Sequence, residues 1–165
     1  MNIRFRPTQP SDLPYVLAAE SDAENSRFIA VWSEERHLIA LEDPDIAHLV
    51  VLSRENDQPV GFVIMAGLRN EHRAVEFRRI VITEKGRGYG RATLQAVKRV
   101  AFDELSAHRL WLDVKEYNTR ARALYEKEGF RYEGTLRECK KESDGFSSLI
   151  IMSILEQEYR PLPST

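Results

Sequence analysis

The sequence predicts an α/β chain of three layers: a mixed, mostly antiparallel central sheet flanked by helices. Three observations carry this. Two apolar runs, residues 47–53 (AHLVVLS) and 60–66 (VGFVIMA), flank the turn-rich spacer ENDQP and read as an antiparallel hairpin. Strand and helix patterns then alternate from residue 75 to residue 128. Two further strand patterns close the chain, so strands paired as hairpins combine with strands covered by helices.

Each element has its own reason. Residues 2–6 alternate polar and apolar as a strand does, and Ser11 is placed to cap a helix through about residue 20. A short helix is expected over residues 33–41. After the hairpin, VEFRRIVIT (75–83) is the next strand. From Gly90, the residues Leu94, Val97, Ala101 and Leu105 recur at helical spacing and form one apolar stripe, with the helix ending near Ser106. RLWLDV (109–114) is a strand, residues 119–128 a short helix, and Gly129 stands where a terminating glycine belongs. Residues 130–139 and 146–155 are the last two strands. They offer an edge for a homodimer or form an internal hairpin.

Composition narrows the function classes. With 165 residues, 42% of them hydrophobic, the chain can bury one sizeable core, and no linker or repeat divides it, so residues 1–165 read as a single domain. Lys plus Arg number 24 against 26 Asp plus Glu, a net charge of −2, so no global positive field points to nucleic acid. Cys139 is the only cysteine, which excludes an internal disulfide and suits a reducing compartment. The four histidines are scattered without metal-ligand spacing, so no metal is expected. No apolar run approaches the roughly 18 residues of a membrane span, and the charged N-terminus is unlike a signal peptide, which together predict a cytoplasmic protein with no membrane partner.

The stretch KGRGYGRATL (85–94) packs three glycines and three cations into its first seven positions, immediately before a helix. A helix start leaves backbone N–H groups unpaired and carries about half a positive charge, and glycines let the backbone approach an anion closely. The spacing lacks the last glycine of GxGxxG and the GK[ST] ending of a Walker loop. Phosphate binding and a simple strand-to-helix turn with solvated arginines both fit the loop taken alone.

Lys85-Gly86-Arg87-Gly88-Tyr89-Gly90 resembles the Q/R-x-x-G-x-G/A motif of the GNAT N-acetyltransferase superfamily. The run from Asn118 to Phe130, through Ala121, Leu124, Tyr125 and Gly129, is similar to that family's N-x-x-A-x-x-L-Y-x-x-x-G-F signature, and the distance between the two segments agrees. Lys85 departs from the usual glutamine or arginine but keeps a donor. The resemblance covers roughly residues 59–155, and the details GFRYEGTLRE and DGFSSLIIMSILEQEY look like the branch of ribosomal-protein alanine N-acetyltransferases and spermidine acetyltransferases.

The resemblance implies the acyl-CoA N-acyltransferase fold and acetyl-CoA as cosubstrate. Gly86, Arg87, Gly88, Tyr89, Gly90 and Arg91 would present amides and charge to the pyrophosphate, with Lys85 beside them, and a bulky residue at Gly88 would block the approach. Main-chain groups of Ile80, Val81 and Ile82 would hold the pantetheine arm and polarise the thioester carbonyl. Asn118 would bond the arm, cap its helix, or both. Tyr125 would protonate the departing thiolate, although its helix position also suits a core tyrosine. The acceptor must lose a proton: an alkylamine with pKa about 10.4 is almost wholly charged at pH 7. Glu76 shares strand parity with Arg78, Ile80 and Ile82 and is either the base or the partner of Arg78 or Arg73. Trp32 either packs or touches substrate, since SRFIAVWSEE lies where the family shapes its acceptor pocket. Glu20, Asp22, Glu24, Glu34, Glu35, Glu42, Asp43 and Asp45 form an acidic region that attracts a cationic acceptor or is a solvated face. Small amines, amino sugars, amino acids and peptide N-termini all remain open as acceptors. A non-catalytic acetyl-CoA sensor and a nucleic-acid binder using the arginines of the loop and of the run Thr119 to Arg122 are the rival readings.

Overall fold

The computed structural model describes residues 2–160. Seven strands form one sheet in the order β1-β2-β3-β4-β5-β7-β6. They are β1 (Ile3–Pro7), β2 (Ile46–Ser53), β3 (Pro59–Ala66), β4 (Ala74–Ile82), β5 (Arg109–Lys115), β6 (Arg131–Glu142) and β7 (Gly145–Leu155). Every neighbouring pair is antiparallel except β4 and β5. The helices are α1 (Leu13–Ser21), α2 (Ala23–Ser26), α3 (Glu34–Glu42), α4 (Tyr89–Arg99), α5 (Thr119–Lys127) and α6 (Glu156–Tyr159). No helix among the described residues is long and apolar enough to cross a membrane.

Local chemistry moves some boundaries. Ser11 does not cap α1: Pro10–Asp12 form a 3-10 turn, and the helix begins at Leu13. The Asp12 carboxylate accepts two 2.9 Å bonds from the Arg6 guanidinium and one of 2.8 Å from the Gln9 N–H, tying β1 to this turn. Ser33 does cap α3, accepting from the Arg36 N–H at 3.2 Å. The apolar stripe of α4 is as expected, but the helix widens over Val100–Glu104 into a π segment, where the Leu105 N–H bonds the Val100 carbonyl at 2.9 Å. The short helices α2 and α6 have too few residues to show a period in the sequence.

Two irregularities of β4 position the site. The β3–β4 register pairs Ile64 with Arg79 and Met65 with Phe77, which leaves Arg78 as an extra, bulged residue. A bulge shifts alternation by one. Val75 and Phe77 therefore pack in the core beneath α4, Ile80 and Ile82 pack against that same core, and Val81 faces the opposite side. The parity expected for Glu76 fails here: it stands across the strand from Ile80 and Ile82. The second irregularity is a split. β4 pairs β5 only from Ala74 with Arg109 to Glu76 with Trp111, after which β4 stays with β3 and β5 stays with β7. The backbone of residues 77–82 on the β5 side consequently has no strand partner. Gly61 keeps β3 close to this region: a Cβ there would stand 2.3 Å from the Val81 carbonyl oxygen, so only glycine fits.

The sheet buries different material on its two faces. Leu94 and Val97 of α4, Tyr125 of α5 and Phe130 cover one face. Leu13, Val16 and Ala19 of α1, Ala40 of α3 and Trp32 cover the other, against Phe62, Ile64 and Val81.

Candidate active site

The split between β4 and β5 opens a cleft of 730 Å³. Ile80, Val81, Ile82, Lys85, Gly86, Gly88, Tyr89, Gly90, Arg91, Asn118 and Tyr125 all border it, so residues spread over the sequence from 80 to 125 converge there. Arg87, Glu76 and Trp32 do not.

The floor of the cleft is the unpaired backbone edge of β4. Its mouth is the loop leading into α4. Gly86 and Gly88 adopt φ of 79° and 77°, the left-handed region that favours glycine. A Cβ at either position would meet nothing within 4 Å, so backbone conformation, rather than lack of room, requires these glycines. Gly88 is the N-cap of α4 and offers no side chain. The first helical bond is from the Ala92 N–H to the Gly88 carbonyl, at 3.1 Å, leaving the amides of residues 89–91 without helical acceptors and aimed out of the helix start. The Tyr89 ring itself is buried in the core, with its hydroxyl 3.3 Å from that of Ser53.

The cations of the loop diverge. Lys85 lies at the cleft, 3.0 Å from the Asn25 side-chain oxygen and 3.2 Å from Glu24. Arg91 donates to Glu128 at 2.6 Å through Nε and stays largely exposed. Arg87 corrects the expectation made for it: its guanidinium turns away to Glu84 at 3.1 Å and Glu55 at 3.2 Å. Arg120, early in α5, borders the cleft and has no ion-pair partner among the described residues. The run Thr119 to Arg122 carried that signal.

Asn118 caps α5, its side-chain oxygen accepting from the Ala121 N–H at 3.4 Å. Two turns later Tyr125 is 7% exposed, with its ring 5.9 Å from that of Phe130. Its hydroxyl makes no hydrogen bond among the described residues. Burial pushes its pKa well above the ordinary tyrosine value, and the nearby charge of Asp113 adds to the shift.

Glu76 is gripped by Arg78, through Nη2 at 2.7 Å and Nε at 3.2 Å. Arg73, its other candidate partner, pairs with Glu156 at 3.1 Å instead. Trp32 is a core residue, 5% exposed, with the guanidinium groups of Arg36 and Arg79 at 4.0 and 4.8 Å from its ring. It packs beneath the cleft rather than touching it. Glu20 likewise leaves the acidic surface. It is fully buried, pairs with Arg79 and accepts from His37 Nε2 at 2.7 Å. His37 Nδ1 lies 3.0 Å from His48 Nε2, and His48 Nδ1 lies 2.8 Å from the Thr8 hydroxyl. Among the described residues no group of three or more His, Cys, Asp or Glu side chains is arranged to hold a metal ion.

Sequence reasoning passed over Asp113, Arg79 and Arg27 and named Arg78 only as a partner for Glu76, yet all four border the cleft. Asp113 had a visible mark: it is the lone acid in RLWLDV, out of phase with the buried Leu110, Leu112 and Val114.

Comparison with known proteins agrees with this architecture. Residues 2–131 match the family described as Acetyltransferase (GNAT) domain. The spermidine N(1)-acetyltransferase of Escherichia coli strain K12 is 26% identical over 167 residues, spanning 96% of this chain and 88% of that one. A Vibrio cholerae spermidine N(1)-acetyltransferase is 31% identical over 101 residues, 61% of this chain and 58% of its own. The crystal structure of a spermidine N-acetyltransferase from Vibrio cholerae in complex with CoA and spermine superposes with a TM-score of 0.87 at 23% identity, over 96% of this chain and 98% of that one. A dodecameric structure of the Vibrio cholerae enzyme has a TM-score of 0.82 at 24% identity, over 99% of each chain. With the split sheet, the glycine loop at a helix start and a family match over most of its length, the chain belongs to the GNAT acetyltransferase family and is an acetyl-CoA-dependent N-acetyltransferase.

Proposed function

We propose that the protein transfers the acetyl group of acetyl-CoA to a primary amine of a polyamine by direct attack, without an acyl-enzyme. The observation that carries this is the split of β4 from β5, which opens a cleft with unpaired backbone along its floor and a glycine-lined helix start at its mouth.

Cosubstrate chemistry fits these residues. Left-handed Gly86 and Gly88 leave the amides of the loop accessible, and the unpaired amides at the start of α4 suit pyrophosphate oxygens. Lys85, Arg91 and Arg120 supply charge at the same mouth. Residues 80–82 would hydrogen-bond the amide groups of the arm as a neighbouring strand does, and one of their N–H groups would polarise the thioester carbonyl. Asn118 would add a bond from its amide nitrogen, since its oxygen is engaged by the helix.

In the reaction, the lone pair of the neutral amine attacks the carbonyl carbon, the C–N bond forms and the C–S bond breaks. Tyr125 gives its hydroxyl proton to the departing sulfur. Its raised pKa keeps that proton in place at neutral pH. Replacing Tyr125 by Phe should lower kcat by about 10²-fold or more while changing acetyl-CoA affinity little. An unchanged kcat would remove Tyr125 from this role.

The acceptor class is supported by the spermidine acetyltransferase relatives. It is also supported by the exposed acids of the first helical region, Asp22, Glu24, Glu34, Glu35 and Glu42, of which Glu24 borders the cleft. CoA thiol release should be read across spermidine, glucosamine, alanine amide and an alanyl tripeptide. Turnover concentrated on spermidine, with a KM that rises with salt, is the expected result. Preference for another amine would reassign the acceptor. We read the chain as one cytoplasmic domain, in keeping with its single unpaired Cys139. Self-association through the outer strand β6, where Tyr132 and Leu136 are exposed, as is Phe146 of β7, completes the reading, and light scattering would test it.

A further inference from the structure

We propose that Asp113, rather than Glu76, is the carboxylate that receives the ammonium group of the acceptor and takes its proton. The inference rests on the acetyltransferase reading above and assigns a catalytic residue within it.

Position is the first argument. Asp113 lies two residues beyond Trp111, the last residue of β5 paired with β4, so it stands where the strands have just parted. It borders the cleft, and Glu76 does not. Alternation along β5 sends Leu110, Leu112 and Val114 into the core beneath α4, and Asp113 to the opposite face of the sheet. Tyr125 belongs to the α4 side. Acid and base thus flank the split from its two faces, close enough for the charge of Asp113 to act on Tyr125, with no hydrogen bond between them. A thioester held in the gap would meet an amine from one side and a proton donor for its sulfur on the other.

Charge pairing is the second argument. Glu76 is engaged by two nitrogens of Arg78, and Arg79 by Glu20. Both β4 arginines therefore have their own carboxylates. Asp113 makes no hydrogen bond or ion pair among the described residues, and it is the acid left to meet a cation in this part of the cleft. The charged groups facing it are Glu76, Arg78 and Arg79 from β4 and Lys140 from β6, with the hydroxyl of Tyr125 from α5. Asp113 is exposed and open to the cleft, so the upward shift of its pKa is modest in origin: partial withdrawal from bulk water by the cleft walls, then Glu76, raise it against the pull of Lys140 and the two arginines. A carboxylate shifted upward is a better base near neutral pH.

The protons balance. The bound R–NH3⁺ gives one proton to Asp113, which passes it to solvent. The second is lost from nitrogen as the C–N bond forms and replaces the one that Tyr125 gives the sulfur.

The test compares the wild type with D113N, D113E and E76Q. It measures kcat/KM against pH for the best amine of the four above, and acetyl-CoA binding by calorimetry. D113N should lose about 10²–10⁴-fold in kcat/KM at neutral pH and lose the acid limb of the profile, with acetyl-CoA affinity retained. The deficit should shrink at high pH, where the amine is already neutral, whereas a merely structural role predicts the same loss at every pH. D113E should recover part of the rate. D113N within about threefold of wild type, or an acid limb that persists in D113N and vanishes in E76Q, overturns the proposal. A wild type that ignores spermidine but turns over another amine defeats only the polyamine reading, because Asp113 is then judged on that amine. A wild type that acetylates none of the four defeats both.

Discussion

Beneath α4 and α5 the sheet is covered by side chains such as Leu94, Val97, Phe102 and Phe130, whereas beneath α1 and α3 it buries a glutamate, an arginine and two histidines. The first face stabilises by removing apolar area from water, at about 25 cal/mol per Å². The second buries an apolar cluster too, but its ionic network must offset the cost of taking charges out of water before it adds to that stability. Among the described residues Arg79 Nε has no partner, so the offset is incomplete. The network fixes geometry: Glu20, on α1, holds Arg79 next to the bulge that turns β4 into the floor of the cleft, and Trp32 lies under the same guanidinium. Both faces bury apolar side chains, and the polar network on the second also sets where β4 runs.

Removing one partner should separate the two faces most sharply. Glu20→Ala leaves the Arg79 charge buried and uncompensated and should cost about 3–5 kcal/mol in denaturant unfolding. Glu20→Gln combined with Arg79→Met should return most of that stability, since no charge is left buried and the amide oxygen still accepts from His37 Nε2–H, yet should lower kcat/KM because β4 loses its anchor. If the double variant is as unstable as Glu20→Ala, the network stabilises in its own right and the comparison fails. Leu94→Ala, on the apolar face, should cost slightly less, about 2–4 kcal/mol, and leave KM for both substrates near wild type. It is fully buried and does not border the cleft.

The same contrast explains what the sequence disclosed. The apolar face was legible because its signals are local: Leu94, Val97 and Ala101 repeat at helical spacing, and Gly129 marks the end of α5. The glycine loop before α4 was legible for the same reason, since its glycines adjoin the helix they open. The polar face was not. Glu20, His37, His48 and Arg79 lie on four elements and find each other only in the folded chain, so Glu20 read as surface charge and the histidines as scattered. The bulge at Arg78 has no sequence mark, and the one-residue shift it introduces put Glu76 on the wrong face. Trp32 stayed open between packing and substrate contact because the partner that covers it, Arg79, is 47 positions away.

Acid should act on the polar face first. Burial, reinforced by repulsion from His37, lowers the pKa of His48 to about 4 from an ordinary 6.5. Between those values the unfolded chain binds more protons than the folded one, so stability should fall as pH drops from about 6.5 to about 4, by up to about 3 kcal/mol. Burial tends to raise the pKa of Glu20, but His37 and Arg79 outweigh it and hold the group below the usual glutamate range. Its contribution is present above the unfolded pKa and is lost as pH falls through the folded one, so it acts in the same direction. Replacing His48 by Gln should flatten the upper part of this slope. An identical slope in that variant would move the acid sensitivity to another group.

The smallest change probes the direction of the buried chain. With both imidazoles neutral, one arrangement satisfies every contact: the Thr8 hydroxyl donates to His48 Nδ1, His48 Nε2–H to His37 Nδ1, and His37 Nε2–H to Glu20. Thr8→Val keeps the shape and removes the first donor, leaving His48 Nδ1 buried without a partner. This should cost about 1–2 kcal/mol at neutral pH. Because the lost bond favoured neutral His48, the folded pKa should rise toward its ordinary value, and the difference from wild type should narrow toward pH 4. Were the hydroxyl accepting from His48 Nδ1–H instead, no N–H would remain on His48 to reach His37, and its loss would not favour protonation. The difference would then hold or widen as acid is added. Thr8→Ser, which keeps the donor, should follow the wild-type curve within a few tenths of a kcal/mol, and stability curves of the three proteins against pH would decide between the two directions.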